Sequence, residues 1–238
     1  PMQEPVTEVL LEAPGGLVKA KAFCSDGVVT SVQFTNVPSF VDKLDQVIEV
    51  EGLGSISVDT AYGGDSFCLV DAESIGFSVS PDEASDMVAS GQKIIRAANE
   101  QIGFSHPENK NWSHLSFCML TCPIKREGGQ VRGRNTVVIQ PGKLDRSPCG
   151  TGCSARMAVL HERGLLMPGD RFVGESVINS EFNCQIEEVT RLANGKSAIV
   201  PSVAGRAWIT GTHQHMMDPR DPWPSGYRLS DTWPRPIS

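Results

Sequence analysis

The sequence predicts an α+β fold made mostly of antiparallel strands with two substantial helices. Two observations carry this. Runs of β-type residues recur at a spacing of about ten, punctuated by Gly-Gly and Asp-Gly, while two longer segments carry helix signals instead. The first strands are read at 8–12, 17–23, 28–35, 47–50 and 56–59. Ser80-Pro81-Asp82-Glu83 then supplies an N-cap, a first-turn proline and early acidic residues for a helix over 84–102. A polar connection over 104–114 marks a domain boundary. Buried strands follow at 115–124 and 135–139. A second helix opens near Gly150 and ends near Gly164, as a glycine stop should. Strands at 171–177, 184–192 and 198–210 restore the β pattern, and the Pro-rich tail from Asp218 to Ser238 is irregular.

Composition narrows the function classes. The 238 residues can bury a substantial core, and 39% hydrophobic and 21% charged content is ordinary for a globular protein. A net charge of −7 argues against a nucleic-acid polyanion as partner. No window approaches the roughly 20 apolar residues of a membrane span. The seven cysteines, at 24, 68, 118, 122, 149, 153 and 184, are odd in number and lack the density of a disulfide framework, which predicts a reducing, cytoplasmic setting.

The most informative stretch runs from Leu144 to Leu160, LDRSPCGTGCSARMAVL. It places Cys149 where a Gly-rich loop turns into an apolar-periodic segment. Unpaired first-turn N–H groups and the positive end of the helix dipole both favour a thiolate. Thiols so placed have pKa values lowered from roughly 8.5 to about 3.5–7.5, so Cys149 is expected to be the most reactive of the seven. The N–H groups of Gly150, Thr151 and Gly152 can hold a carboxylate. One segment thus offers a proton-transfer group and an anion cradle. Cys153 lies one turn further on and is read as packing.

This run resembles the second active-site motif of the proline racemase family, which includes hydroxyproline epimerases and trans-3-hydroxy-L-proline dehydratases. Glu12-Ala13-Pro14-Gly15-Gly16-Leu17, Tyr62-Gly63-Gly64-Asp65-Ser66-Phe67, Gly205-Arg206-Ala207-Trp208-Ile209-Thr210-Gly211 and Asp218-Pro219-Arg220-Asp221-Pro222 extend the resemblance over nearly the whole chain. It implies a diaminopimelate-epimerase-like fold of two β-barrel-like lobes, each around a central helix, with substrate between them. On that basis 1–104 is the remainder of an incomplete N-terminal lobe. Residues 105–238 are a C-terminal lobe carrying the Cys149 motif, with a tail able to pack back on the first. The resemblance also implies a first motif, Met-Cys-Gly-His, upstream of the segment with which this chain begins. No Cys-Gly-His occurs in the sequence, so half an active site is expected.

The implied activity is cofactor-independent racemisation or epimerisation at the Cα of proline or hydroxyproline, with Cys149 as one of two acid/base groups. Asp145 would bind the ring ammonium, Gly150 and Thr151 the carboxylate through backbone N–H, and Asp65 would also contact substrate. Relatives commonly carry Gly-Gly-Asn where this chain has Gly63-Gly64-Asp65. That difference keeps open dehydration of a 3-hydroxyproline, with Cys149 as base. A third reading is an inactive binding homologue. No cofactor and no metal are expected, since the Cys118-x-x-x-Cys122 pair with His106 and His114 lacks zinc-site spacing. The partners expected are the small-molecule substrate, a second copy of the chain, and the N-terminal segment as a separate chain, with neither nucleic acid nor membrane.

Overall fold

The computed structural model describes residues 2–13 and 16–227. Pro14 and Gly15, and the tail from 228 onward, lie outside the described residues. The chain divides into two compact units, Pro1–Arg206 and Ala207–Ser238.

In the first unit, β1 (Val6–Ala13), β2 (Gly16–Ser25) and β3 (Val28–Thr35) form an antiparallel meander. Asp26 and Gly27 turn β2 into β3, both at positive φ as a tight hairpin requires. Next come β4 (Phe40–Val50), β5 (Gly54–Tyr62) and β6 (Ser66–Asp71), again antiparallel. Helix α1 (Ala84–Gln101) crosses over to β7 (Phe117–Thr121), which pairs in parallel with β6. Two short strands, β8 (Lys125–Glu127) and β10 (Lys143–Leu144), flank and pair with β9 (Gln130–Ile139). Helix α2 (Gly150–Glu162) crosses over to β11 (Arg171–Glu175), parallel to β9, and β12 (Glu181–Arg191) and β13 (Ser197–Gly205) complete the set. The spatial order is β1-β2-β3-β13-β12-β11-β9-β7-β6-β5-β4. Strands β6 and β7, on either side of residue 104, therefore belong to one sheet.

The sheet ladder is not closed, yet it curls until the start of β4 meets β13, where Ser39 and Ile199 exchange two 2.8 Å backbone bonds. Inside this curl lies α2, packed on β4, β5 and β6 to one side and β12 and β13 to the other. Every residue from 152 to 160 is buried. The sequence predicts an apolar-periodic segment here. In the structure it is covered all round, so no single apolar stripe marks it. Helix α1 covers the opposite face of the sheet. Strand residues alternate between the two layers. Phe67, Leu69, Met119 and Val137 pack with Ala155 and Val159 of α2, while Cys68, Val70, Cys118, Leu120 and Val138 pack with Met87 and Ile94 of α1. A central sheet covered on both faces by crossover helices is the expected burial for such βαβ units. This mixed architecture, few helices against a large curled sheet, is the α+β class expected.

Several boundaries moved. β4 begins seven residues before the strand read at 47–50, because Asp45 at φ +53° and two register shifts break its alternation. The sequence carries no strand signal for β6, since burial on both faces leaves no polar alternation. The strand read over 198–210 ends at Gly205. Helix α1 matches closely, and Ser80 opens a short 3₁₀ turn, Pro81–Glu83, ahead of it. There the Glu83 carboxylate accepts from the Ser80 N–H at 2.9 Å, and backbone bonds of this kind hold its pKa below the usual range. Gly164, at φ +69°, follows α2 as the stop.

The second unit has neither helix nor strand among its described residues. Asp218 pairs with Arg220, and Trp223 to Gly226 makes a turn. No helix among the described residues is long and apolar enough to cross a membrane.

Candidate active site

The loop before α2 is built on Asp145, whose N–H bonds Val137 O of β9 at 2.9 Å. Its Oδ1 accepts from both the N–H and the hydroxyl of Ser147, each at 2.9 Å, and the Ser147 Oγ in turn accepts the Cys149 N–H at 3.1 Å. This is an Asx turn followed by a serine turn, and it fixes where the helix can begin. Ser147 joins the candidate site residues, and a serine two positions after Asp and two before the cysteine is the sequence signal for it.

Cys149 is the N-cap of α2. Its Sγ accepts the Gly152 N–H at 3.4 Å and lies 3.6 Å from Thr151 Oγ1. Gly150 and Thr151, in the first turn, have N–H groups with no acceptor inside the helix. Cys149 sits at φ +65° and ψ 111°. A non-glycine residue in so sparse a region costs on the order of 1–3 kcal/mol and persists only where its surroundings over-determine it.

The expectation of a readily ionised thiol is not met. Burial pushes Cys149 up to about 12, and Asp145 and Cys153 add to this, against the lowering bonds from Thr151 and Gly152. The helix terminus offers about 0.3–1 kcal/mol, up to about 2. Three pH units correspond to about 4 kcal/mol, so loss of water outweighs the dipole. At neutral pH Cys149 is a thiol.

The Gly-Gly turn reaches this junction from β5 and β6. A Cβ on Gly63 would lie 2.2 Å from Thr151 O and 2.4 Å from Ala155 N, and one on Gly64 would meet the Thr151 methyl at 3.1 Å. Asn36, unforeseen from the sequence, ties the parts together. Its Nδ2 donates to Gly63 O at 2.7 Å and Ser154 Oγ at 2.9 Å, and Ser154 bonds Gly150 O. Asp65 follows the turn but is already engaged: Oδ1 accepts from Ser66 N at 2.7 Å, and Ser116 bonds the carboxyl. Burial nevertheless raises its pKa. Thus Asp145, Cys149, Gly150 and Thr151 share one junction, Gly63 and Gly64 touch it, and the Asp65 side chain is held by two serines.

The remaining candidates fall elsewhere. Cys153 is buried and donates to Pro148 O at 3.3 Å. Cys118 lies in the core, and His106 packs its edge on Tyr62 at 4.5 Å. Among the described residues no group of His, Cys, Asp and Glu is arranged to hold a metal, and all seven cysteines are free. A cavity of about 650 Å³ lies along the far half of α2, between Val159, Leu160 and Arg163 and strand β5. It does not include Cys149.

Two solved structures align with this chain along 98% of its length, each with a TM-score of 0.82. One is a probable proline racemase from Agrobacterium radiobacter K84 with bound carbonate, 39% identical. The other is a hydroxyproline epimerase from Agrobacterium vitis with bound trans-4-hydroxy-L-proline, 41% identical. The chain covers 67% and 66% of them respectively, so it spans about two thirds of their length. Residues 1–228 match the proline racemase family. With that match and these relatives, the chain belongs to the proline racemase family.

Proposed function

We propose that this chain takes part in cofactor-independent proton transfer at the Cα of proline or a hydroxyproline, with Cys149 as one acid/base group. The observation that carries the reading is the junction itself: a cysteine N-cap, a carboxylate on the preceding loop and free first-turn N–H groups on one short segment. A cyclic amino acid brings opposite charges to match. Its carboxylate suits the Gly150 and Thr151 N–H groups, and its ring ammonium suits Asp145. Asp145 also holds the thiol pKa up, so an ammonium bound there cancels that field and adds a positive charge. Ionisation of Cys149 thereby becomes easier when substrate is present. Fixed N–H donors on the carboxylate then stabilise the carbanion as it forms.

Inversion needs acid/base groups on both faces of Cα, whereas exchange of the Cα hydrogen needs one. The test is therefore deuterium incorporation into proline and 4-hydroxyproline in D₂O. Cys149→Ala is expected to lower exchange by at least about 10²-fold, and exchange that is independent of Cys149 would sink the reading. Loss of water from a 3-hydroxyproline, with no exchange into proline, would assign dehydration instead. Asp145→Asn is expected to weaken proline binding by about 10- to 100-fold, the worth of a charged hydrogen bond. Pyrrole-2-carboxylate carries no ammonium, so its binding should change little. Calorimetry with both ligands separates the two, and equal losses would remove Asp145 from the ammonium site.

A further inference from the structure

We propose that Asn135 and Arg156 are positioning residues for Cys149, acting through the carbonyl of Pro148; this rests on the proton-transfer role of Cys149 given above. Asn135, on β9, is fully buried. Its Nδ2 donates to Pro148 O at 2.8 Å and its Oδ1 accepts from Arg156 Nη1 at 3.2 Å. A guanidinium only donates, so it fixes which end of the amide faces it and leaves the NH₂ end for the Pro148 carbonyl. That carbonyl belongs to the peptide leading into Cys149, the residue held at φ +65°. The weak Cys153 Sγ donor reaches the same oxygen at 3.3 Å. Together these bonds set the peptide plane from which the strained N-cap departs, and hence where Sγ points.

Arg156 is buried without a carboxylate partner: it is 4% exposed, and among the described residues no carboxylate lies within ion-pair distance of it. Its other bonds go to Arg134 O at 2.9 Å and to Cys122 O. The guanidinium lies over the Phe172 ring, with its carbon 5.8 Å from the centroid, and close enough to β9 that a Cβ on Gly133 would sit 2.7 Å from Nη1. Burying a charge on carbonyl oxygens alone is a costly way to fill space, and an apolar side chain of that volume would often do so at least as well. What the arginine adds is orientation of Asn135.

The experiment uses Asn135→Asp, which keeps the shape and can pair with Arg156 but presents an oxygen to Pro148 O. Arg156→Lys, which keeps the charge but loses the fork, is the second variant. Each is measured for Cα deuterium exchange at saturating substrate and for alkylation of every cysteine. A misplaced group of this kind costs on the order of 10²-fold. Exchange in both variants is expected to fall by at least about tenfold toward that limit, with KM little changed and the buried Cys68 and Cys118 as unreactive as in the wild type. Wild-type exchange in either variant overturns the proposal. So does loss of exchange accompanied by labelling of Cys68 and Cys118, which would assign the pair to the fold as a whole. If the wild-type chain exchanges no Cα hydrogen, the reading of its activity fails separately. The positioning role then stands on a selective change in Cys149 alkylation and falls if that rate is unchanged.

Discussion

Replacing Gly63 with alanine is expected to destabilise the protein by about 3 kcal/mol or more, at the upper end of what overpacking costs. The new methyl would lie 2.2 Å from Thr151 O and 2.4 Å from Ala155 N, both backbone atoms of α2. No side-chain rotation relieves such contacts, so the turn or the helix must move. Movement of either breaks the Asn36 bond to Gly63 O and displaces Thr151, one of the two residues proposed to hold the substrate carboxylate. Gly76 is the control. It has φ +87° and open space around a Cβ, so alanine there carries only the backbone penalty of about 1 kcal/mol. Urea unfolding of both variants decides the matter. A Gly63→Ala loss no greater than that of Gly76→Ala would mean that helix and turn do not depend on this close approach.

Stability is expected to fall steeply above pH 9. Burial pushes Cys118 up to about 12 and Cys149 likewise, and raises Cys68 well above its ordinary value. Folded protein keeps these protons, while unfolded thiols release theirs near 9. The unfolded state therefore binds fewer protons, and stability drops as pH rises from 9 toward 12. Each such group contributes about 1.4 kcal/mol per pH unit, so Cys118 alone costs about 4 kcal/mol by pH 12. Urea midpoints at pH 8, 9.5 and 11 test this. Cys118→Ala should flatten the decline by about 1.4 kcal/mol per unit, at the expense of some stability at pH 8 from the cavity. An unchanged slope in that variant would show that Cys118 ionises in the folded protein without penalty.

The features legible in the sequence were local. The start of α1, the glycine stop after α2 and the Asp26-Gly27 hairpin were all legible, because capping and turn chemistry depend on residues a few positions apart. The motif that places Asp145, Cys149, Gly150 and Thr151 together was legible for the same reason. Strand β6 was not, because a strand covered on both faces has no alternation to read, and much of β4 was hidden by bulges that break the pattern. The protonation of Cys149, by contrast, depends on the whole fold. The dipole argument needs nothing beyond the helix start, but desolvation depends on what surrounds the thiol. Here the surroundings come from the sheet curled about α2. The same holds for Asn36, Asn135 and Arg156. They reach the junction from β3's end, from β9 and from deep in α2, and their hydrogen-bond partners exist only once the sheet has wrapped around the helix.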